Sequence, residues 1–135
     1  MTGIPELHAQ ERDFKVWEYQ VSHGQLLIRS PISPATDRAP ERVTNIDIVC
    51  SGVEYMSLPR LLRGIVMAPA TLEEVRYIGA LLGKTITRDT TATLASNDRR
   101  FHVVASSIVI SENDWDIFDS PFEFRSQFRG HSLKR

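Results

Sequence analysis

The sequence has few of the residues that disulfide-bonded, metal-binding or membrane-spanning proteins require. Cys50 is the single cysteine among 135 residues, which excludes an internal disulfide and any multi-cysteine metal site. No apolar run approaches the ~18 residues that a membrane-spanning helix needs. The opening stretch MTGIPELHAQERD has neither a basic leader nor an apolar core. We therefore expect no secretory signal and no membrane contact, and a reduced, cytoplasmic protein.

An excess of positive charge is also missing. The chain has 16 Lys and Arg residues against 17 Asp and Glu residues, for a net charge of −1. A dedicated nucleic-acid binder gains its affinity by neutralising phosphates with surplus basic residues, so no nucleic-acid partner is expected.

Motifs that carry known chemistry are absent as well. The sequence has no G-x-G-x-x-G or G-x-x-x-x-G-K-[ST] phosphate loop and no G-x-S-x-G nucleophile elbow. No histidine has a second ligand at a spacing typical of a metal site. The sequence therefore predicts no catalytic set, no metal and no cofactor.

Alternating apolar and polar residues indicate strands in the first half of the chain. Phe14 to Val21 and the stretch GQLLIRS alternate in this way, and the short link around Gly24 predicts a hairpin between them. Three prolines between positions 31 and 40 predict a surface loop.

The stretch TNIDIVC predicts a further strand with two different faces. Ile46, Ile48 and Cys50 share one face, where Cys50 is expected to be a buried, inert thiol. If this strand pairs with GQLLIRS, Arg29 lies opposite Asp47 as a cross-strand charge pair.

One helix is well specified. TLEEVRYIGALL, at about residues 71–82, begins with a T-x-x-E capping box made by Thr71 and Glu74 and ends before Gly83. Its apolar stripe is expected to face the sheet, with Gly79 allowing a close approach to it. The surrounding segment GIVMAPATLEEVRYIGALLGKTIT could form one β-α-β crossover.

The second half of the chain also predicts strands. TITRD and TATLAS are short strand candidates, SNDRR is a hairpin loop, and FHVVASSIVIS reads as a central strand covered on both faces. The predicted fold class is α+β: a mostly antiparallel sheet, with a mixed or barrel-like sheet left open, and one helix. We expect one domain, 1–135, with 1–12 and 130–135 loosely ordered and the titratable groups left in water.

Two surfaces stand out as candidate binding sites. Asp114 and Asp116 lie in an acidic, aromatic-bearing segment, residues 112–123, that could dock another protein. Gly52 predicts a bulge that could turn Glu54 and Tyr55 towards a ligand. The remaining candidates, from the first strands and their hairpin link, are Trp17, Tyr19, His23, Arg29 and Asp47.

Three functions are compatible with these patterns. The first is a small, non-catalytic binding protein that acts through protein–protein contacts, in an immunity-type or accessory role. The alternative is a small-molecule-binding or enzymatic domain with a pocket between helix and sheet. A third possibility is a homo-oligomer that associates through an uncovered sheet edge.

Overall fold

Six antiparallel strands form a ring, and one helix packs on its outside. The structure is a computed structural model that describes residues 3–116 and 119–122. The strands follow one another around the ring in the order β1-β2-β3-β6-β5-β4, and β4 pairs with β1 to complete it. The elements are β1 (Leu7–Gln20), β2 (Gln25–Ser30), β3 (Asn45–Ser57), β4 (Leu61–Pro69), α1 (Leu72–Leu82), β5 (Thr91–Ser96) and β6 (Arg99–Asn113).

Tight turns set the register of two hairpins. A single 3-10 turn, Val21–His23, joins β1 to β2, and Gly24 follows it with a positive φ. Asn97 and Asp98, both with positive φ, join β5 to β6. Two central residues with positive φ match the right-handed twist of the flanking strands, which is why short polar residues occupy this turn.

Apolar side chains fill the inside of the ring. One core cluster takes residues from all six strands, as the alternation along each strand predicts. Its largest members are Phe14, Leu26, Ile28, Ile48, Leu62, Ile65, Met67 and Leu94. Over the described residues, the interior is therefore a packed apolar core.

The helix covers a second, smaller core on the outer face of the ring. Val75 and Ile78 pack with Val104 of β6, with Tyr55 of β3 at the edge of the cluster. The capping box at Thr71 and Glu74 and the left-handed C-cap at Gly83 are both present, so these predictions are confirmed. Leu72, the first residue of the predicted stripe, is exposed.

Sheet pairing confirms the α+β prediction with a mostly antiparallel sheet and one helix. The open alternative of a β-α-β crossover is wrong, because β4 and β5, which flank α1, pair antiparallel with each other. TATLAS forms β5 and SNDRR forms the turn. TITRD, residues 85–89, is no strand: it leads into a 3-10 turn, Arg88–Thr90.

Two local expectations also need correction. Residues 7–12, expected to lie loosely, belong to β1, because Leu7 pairs with Met67 of β4 and this distant pairing is invisible to a local pattern. The close approach at Gly79 involves the chain after the helix and not the sheet: an added Cβ would lie 2.7 Å from the Lys84 carbonyl oxygen. Residues 130–135 lie outside the described residues.

The ring closes unevenly because its strands differ in length. β5 has 6 residues and β6 has 15, and β5 pairs with β6 only as far as Val104. Among the described residues, β6 beyond Val104 pairs with β3 alone. Within the part of the chain that the structure describes, one side of β6 is therefore an open edge over its second half.

The backbones of β1 and β4 lie close together at Gly64. Its φ is +77°, and an added Cβ would lie 2.5 Å from the Gln10 carbonyl oxygen. Gly83 has a similar φ of +72° with nothing within 4 Å of the added Cβ. We expect Gly83→Ala to cost about 1 kcal/mol from backbone strain alone, and Gly64→Ala roughly 3 kcal/mol because the backbone must also move. Urea unfolding of both variants measures the difference, and equal costs would show that the clash relaxes freely.

Candidate protein-binding surface

A buried ion pair joins β2 and β3. Arg29 lies directly opposite Asp47, as predicted from the sequence. Its guanidinium donates from Nε to Asp47 Oδ1 at 2.7 Å and from Nη2 to Oδ2 at 3.0 Å. Both side chains are 0% exposed. The expectation that the titratable groups stay in water is therefore wrong here, because later parts of the chain cover this outer face of the sheet.

Asparagine side chains extend this polar network into the chain that follows β6. Asn113 donates to Asp47 Oδ2 at 3.0 Å and accepts from the Asn45 amide at 2.9 Å. Asn45 also donates to the Trp115 carbonyl oxygen and accepts from the Ile32 amide. Arg29 Nη1 donates to the Asp119 carbonyl oxygen at 3.0 Å. The segment after β6 is thus fixed across β2 and β3 by Arg29, which the sequence analysis named, and by the side chains of Asn45 and Asn113, which it did not.

Three of the predicted binding residues come together in this network. The Trp17 ring centroid lies 5.6 Å from Arg29 Cζ, a cation–π distance. With Asp47 on its other side, Arg29 is enclosed by protein groups. Because the side chains of Arg29 and Asp47 are fully buried, a ligand cannot reach the ion pair in this arrangement. The three residues therefore belong to the packing of the fold.

Tyr19 and His23 lie apart from that network. Tyr19 pairs with Leu26 near the end of β1 and is partly exposed. His23 is exposed in the 3-10 turn, where its Nδ1 lies 3.1 Å from Ser22 Oγ.

The bulge predicted near Gly52 is present, and it places Glu54 and Tyr55 differently from each other. Glu54 forms a surface ion pair with Lys84 just after the helix. Tyr55 packs against the core under the helix. Both residues therefore connect β3 to the helical layer, and they do not form a joint ligand-facing pair.

Asp114 and Asp116 lie exposed immediately after β6, beside the partly exposed Trp115. Glu112, the one acidic residue of β6, accepts a hydrogen bond from the Thr44 hydroxyl. Asn45 and Asn113 hold the backbone between these acids, as described above. The acidic segment is therefore presented from a fixed base, over the residues that the structure describes.

Glu74 forms a second polar cluster that the sequence did not predict beyond its role in the capping box. Its carboxylate accepts two hydrogen bonds from Arg100 of β6, at 2.7 and 2.9 Å, and one from the Thr71 amide at 2.9 Å. His102 Nε2 lies 3.1 Å from Glu74 Oε2 but is not oriented for a well-formed hydrogen bond. The hydrogen bonds from Arg100, against an opposing effect of burial, hold the pKa of Glu74 well below its ordinary value. This cluster ties the start of the helix to the β5–β6 hairpin.

Cys50 has the properties of a core residue. Its side chain is buried in the ring, and burial raises the pKa of its thiol to about 12. A thiol that stays protonated in an apolar core is a poor nucleophile, which agrees with the prediction of an inert cysteine. Its strand neighbour Asp47 is on the opposite face, bound to Arg29.

The open edge of β6 borders a surface cleft. The cleft has a volume of about 640 Å³ and lies between residues 108–110 of β6 and residues 3–6, with Pro69, Arg88 and Asp89 at its rim. Val109 is 51% exposed there. Between helix and sheet, by contrast, Ala70, Val75, Ile78, Ile86 and Val104 fill the space.

The described part of the chain holds no group of three or more His, Cys, Asp or Glu residues placed to bind a metal ion. None of its helices has the length and hydropathy to cross a membrane. Comparison with protein families, curated proteins and solved structures finds no match for this chain.

The buried pair can be compared with an exposed pair at a similar cross-strand position. Asp13 and Arg63 are also directly opposed across two strands, at 3.5 Å, with side chains more than half exposed. We expect Asp47→Asn to lower the free energy of unfolding by about 3–5 kcal/mol, because it removes the carboxylate charge that faces the buried Arg29 guanidinium. Asp13→Asn should cost less than about 1 kcal/mol.

A double variant separates two free energies: the cost of removing one charge of the buried pair and the net contribution of the pair to stability. We expect Arg29→Met combined with Asp47→Leu to be more stable than Asp47→Asn alone, since the double variant removes both buried charges and Asp47→Asn removes only one. Urea unfolding at neutral pH measures all of these variants. A double variant that is less stable than Asp47→Asn would show that the pair and its network contribute net stability.

The low pKa of Glu74 predicts a pH-dependent contribution to stability. A carboxylate whose pKa is depressed on folding stabilises the fold above its unfolded pKa, about 4.3, and loses that contribution as the pH falls below it. We expect Glu74→Gln to lower the midpoint of thermal unfolding at pH 7, and the deficit to shrink steadily at more acidic pH. Glu73→Gln, at an exposed position of the same turn, is the matched control. A deficit that is constant with pH would contradict the assigned ionisation.

Proposed function

We propose that this protein is a non-catalytic binding module that acts by contact with another protein. The carrying observation is the open edge of β6, which runs from Ala105 to Asn113 beside the cleft. An open edge offers a row of backbone donors and acceptors to an added strand, which is a general mode of peptide recognition. The proposed partner therefore contributes an extended segment to the sheet.

The composition of this edge supports the proposal. Residues 105–111 read ASSIVIS, without a charge or a proline. Proteins commonly protect open edges with lysine, proline or bulges, which prevent association with other strands. The absence of charge and proline from residues 105–111, together with the exposure of Val109, favours an edge that is used.

The acidic segment adds a second contact area. Asp114 and Asp116 follow the end of β6, and the hydrogen bonds from Asn45 and Arg29 hold this segment over β2 and β3, so the acids form a surface apart from the edge. Exposed acids accelerate the approach of a basic partner, whereas burial of backbone and apolar groups keeps it bound. An immunity-type or accessory role in the cytoplasm remains the proposed setting.

The alternative functions have less support. A small-molecule or enzymatic site between helix and sheet would need space that side chains of the smaller core occupy. The sequence candidates for its lining are divided among a buried ion pair, the smaller core and separate surface positions. A homo-oligomer would use the same open edge, and the experiment below distinguishes it.

Exposed valines provide the test. Val109 lies on the open edge, and Val43, 67% exposed, lies in the loop before β3. Tagged wild-type, Val109→Lys and Val43→Lys proteins would be used for cross-linked capture from the native cell, with identification by mass spectrometry. We expect a protein captured by the wild type to be lost at least tenfold with Val109→Lys, because a lysine on the edge disfavours strand addition, and retained with Val43→Lys.

Light scattering on the same three proteins identifies self-association. A monomer in all three agrees with the proposal. A dimer that only Val109→Lys dissociates would identify the edge as a homo-oligomer interface instead. Equal capture by all three variants would also overturn the proposed use of the edge.

A further inference from the structure

We infer that the extended segment of the partner enters the gap that the short β5 leaves in the ring, between β6 and residues 3–6, an inference that rests on the proposed function. The inserted stretch of the partner is uncharged and has apolar residues at alternate positions. Such a segment contacts this protein along both of its edges and adds side chains to the core. A segment that lay only along the outside of β6 would do neither.

The gap results from the different lengths of β5 and β6. β5 begins at Thr91, which pairs with Val104, so it does not continue beside the rest of β6. Across the cleft from residues 108–110 of β6 lie residues 3–6. These residues precede β1 and take part in none of the pairings between the described strands. Within the described chain, the cleft therefore has an open strand edge on one side and backbone without a strand partner on the other.

The end of the gap is fixed by hydrogen bonds where β4 ends and β5 begins. Pro69 and Arg88 line this end. The Ala70 amide donates to the Thr91 carbonyl oxygen at 3.0 Å, and Arg88 Nε donates to the Ala70 carbonyl oxygen at 2.6 Å. Ala70 is itself fully buried. Because these bonds hold the end wall in place, an added segment enters a preformed gap and displaces neither β5 nor the helix connection.

The walls of the gap select apolar side chains. Ile108 and Ile110 line it from β6, Ile4 lines it from the opposite side, and all three pack on the core of the ring. Side chains alternate along a strand, so every second residue of an inserted segment faces these isoleucines. A charge at such a position would leave water without gaining a counter-charge, because the charged residues that line the cleft are all exposed.

Hydrogen exchange distinguishes insertion from addition to the outside of β6. The probe is a peptide of alternating threonine and valine with about seven residues, a length typical of strands. It would be bound to the full chain at a saturating concentration, with exchange followed by NMR. We expect backbone amides within residues 105–113, and those of Ile4 and Glu6, to exchange about tenfold more slowly with the peptide than without it. A peptide outside the gap would slow exchange within residues 105–113 alone.

The order of residues in the peptide tests the apolar requirement. A second peptide has the same composition, with its valines grouped at one end. Grouping turns at least one valine away from the gap, because only every second residue faces inwards. We expect the alternating peptide to bind about tenfold tighter in fluorescence polarisation, which is the effect of burying one more valine side chain.

Two alanine variants of this chain provide a matched comparison. Ile4 and Leu58 are both half-buried and pack on the core of the ring, but Leu58 lies outside the cleft. We expect Ile4→Ala to weaken binding of the alternating peptide about tenfold and Leu58→Ala to leave it unchanged. Thermal unfolding establishes that both variants are folded. Val109→Lys should abolish binding of both peptides.

The failures of the two proposals differ in these experiments. Slower exchange confined to residues 105–113, or the same affinity in Ile4→Ala and Leu58→Ala, would overturn the insertion and leave the proposed function standing. Equal affinities for the two peptides would overturn the apolar requirement. Binding of neither peptide, or binding that Val109→Lys does not change, would count against the edge as a strand acceptor and so against the proposed function itself.

Discussion

The buried pair of Arg29 and Asp47 constrains the rest of the structure. Removing two charges from water costs several kcal/mol per ion in a real protein, and only close, hydrogen-bonded partners offset that cost. A shift of one residue between β2 and β3 would move each side chain to the other face and leave both charges unpaired. The pair therefore fixes the register at the centre of the sheet, where Arg29 and Asp47 lie directly opposite each other.

This constraint also determines the path of the chain after β6. Asp47 has capacity for a further donor, which Asn113 supplies, and Arg29 has a further donor, which the Asp119 carbonyl oxygen accepts. These bonds draw the described part of that segment over β2 and β3. β3 lies on one side of β6 and the open edge on the other. The same interactions that bury the ion pair thus direct this segment away from the edge.

The sequence allowed prediction of features that involve one helix turn or two neighbouring strands. It did not allow prediction of the distant strand pairing that closes the ring. The Thr71–Glu74 box, the Gly83 cap and the pairing of Arg29 with Asp47 each depend on fixed local spacing or on strand alternation, and all three are confirmed. The pairing of Leu7 with Met67, which completes the ring, joins residues 60 positions apart with no local signal. Burial of the ion pair was missed because strand alternation assigns a side chain to a face of the sheet, and a single sequence does not show what covers that face.

Strand length links the fold to the proposed site. β5 begins at Thr91, directly after the 3-10 turn that follows the helix, and has only six residues. β6 extends nine residues beyond Val104, the partner of Thr91, and pairs there with β3 alone among the described residues. A shorter β6 would have removed the edge at no cost to the helix or to the hairpin. β6 instead extends to Asn113, whose side chain donates a hydrogen bond to Asp47 of the buried pair. The strand length that provides this hydrogen bond also creates the edge. Protection of that edge would then require charge or proline within residues 105–111, and the chain has neither there. An uncharged edge without a strand partner among the described residues is the physical basis for the proposal that a partner strand binds there.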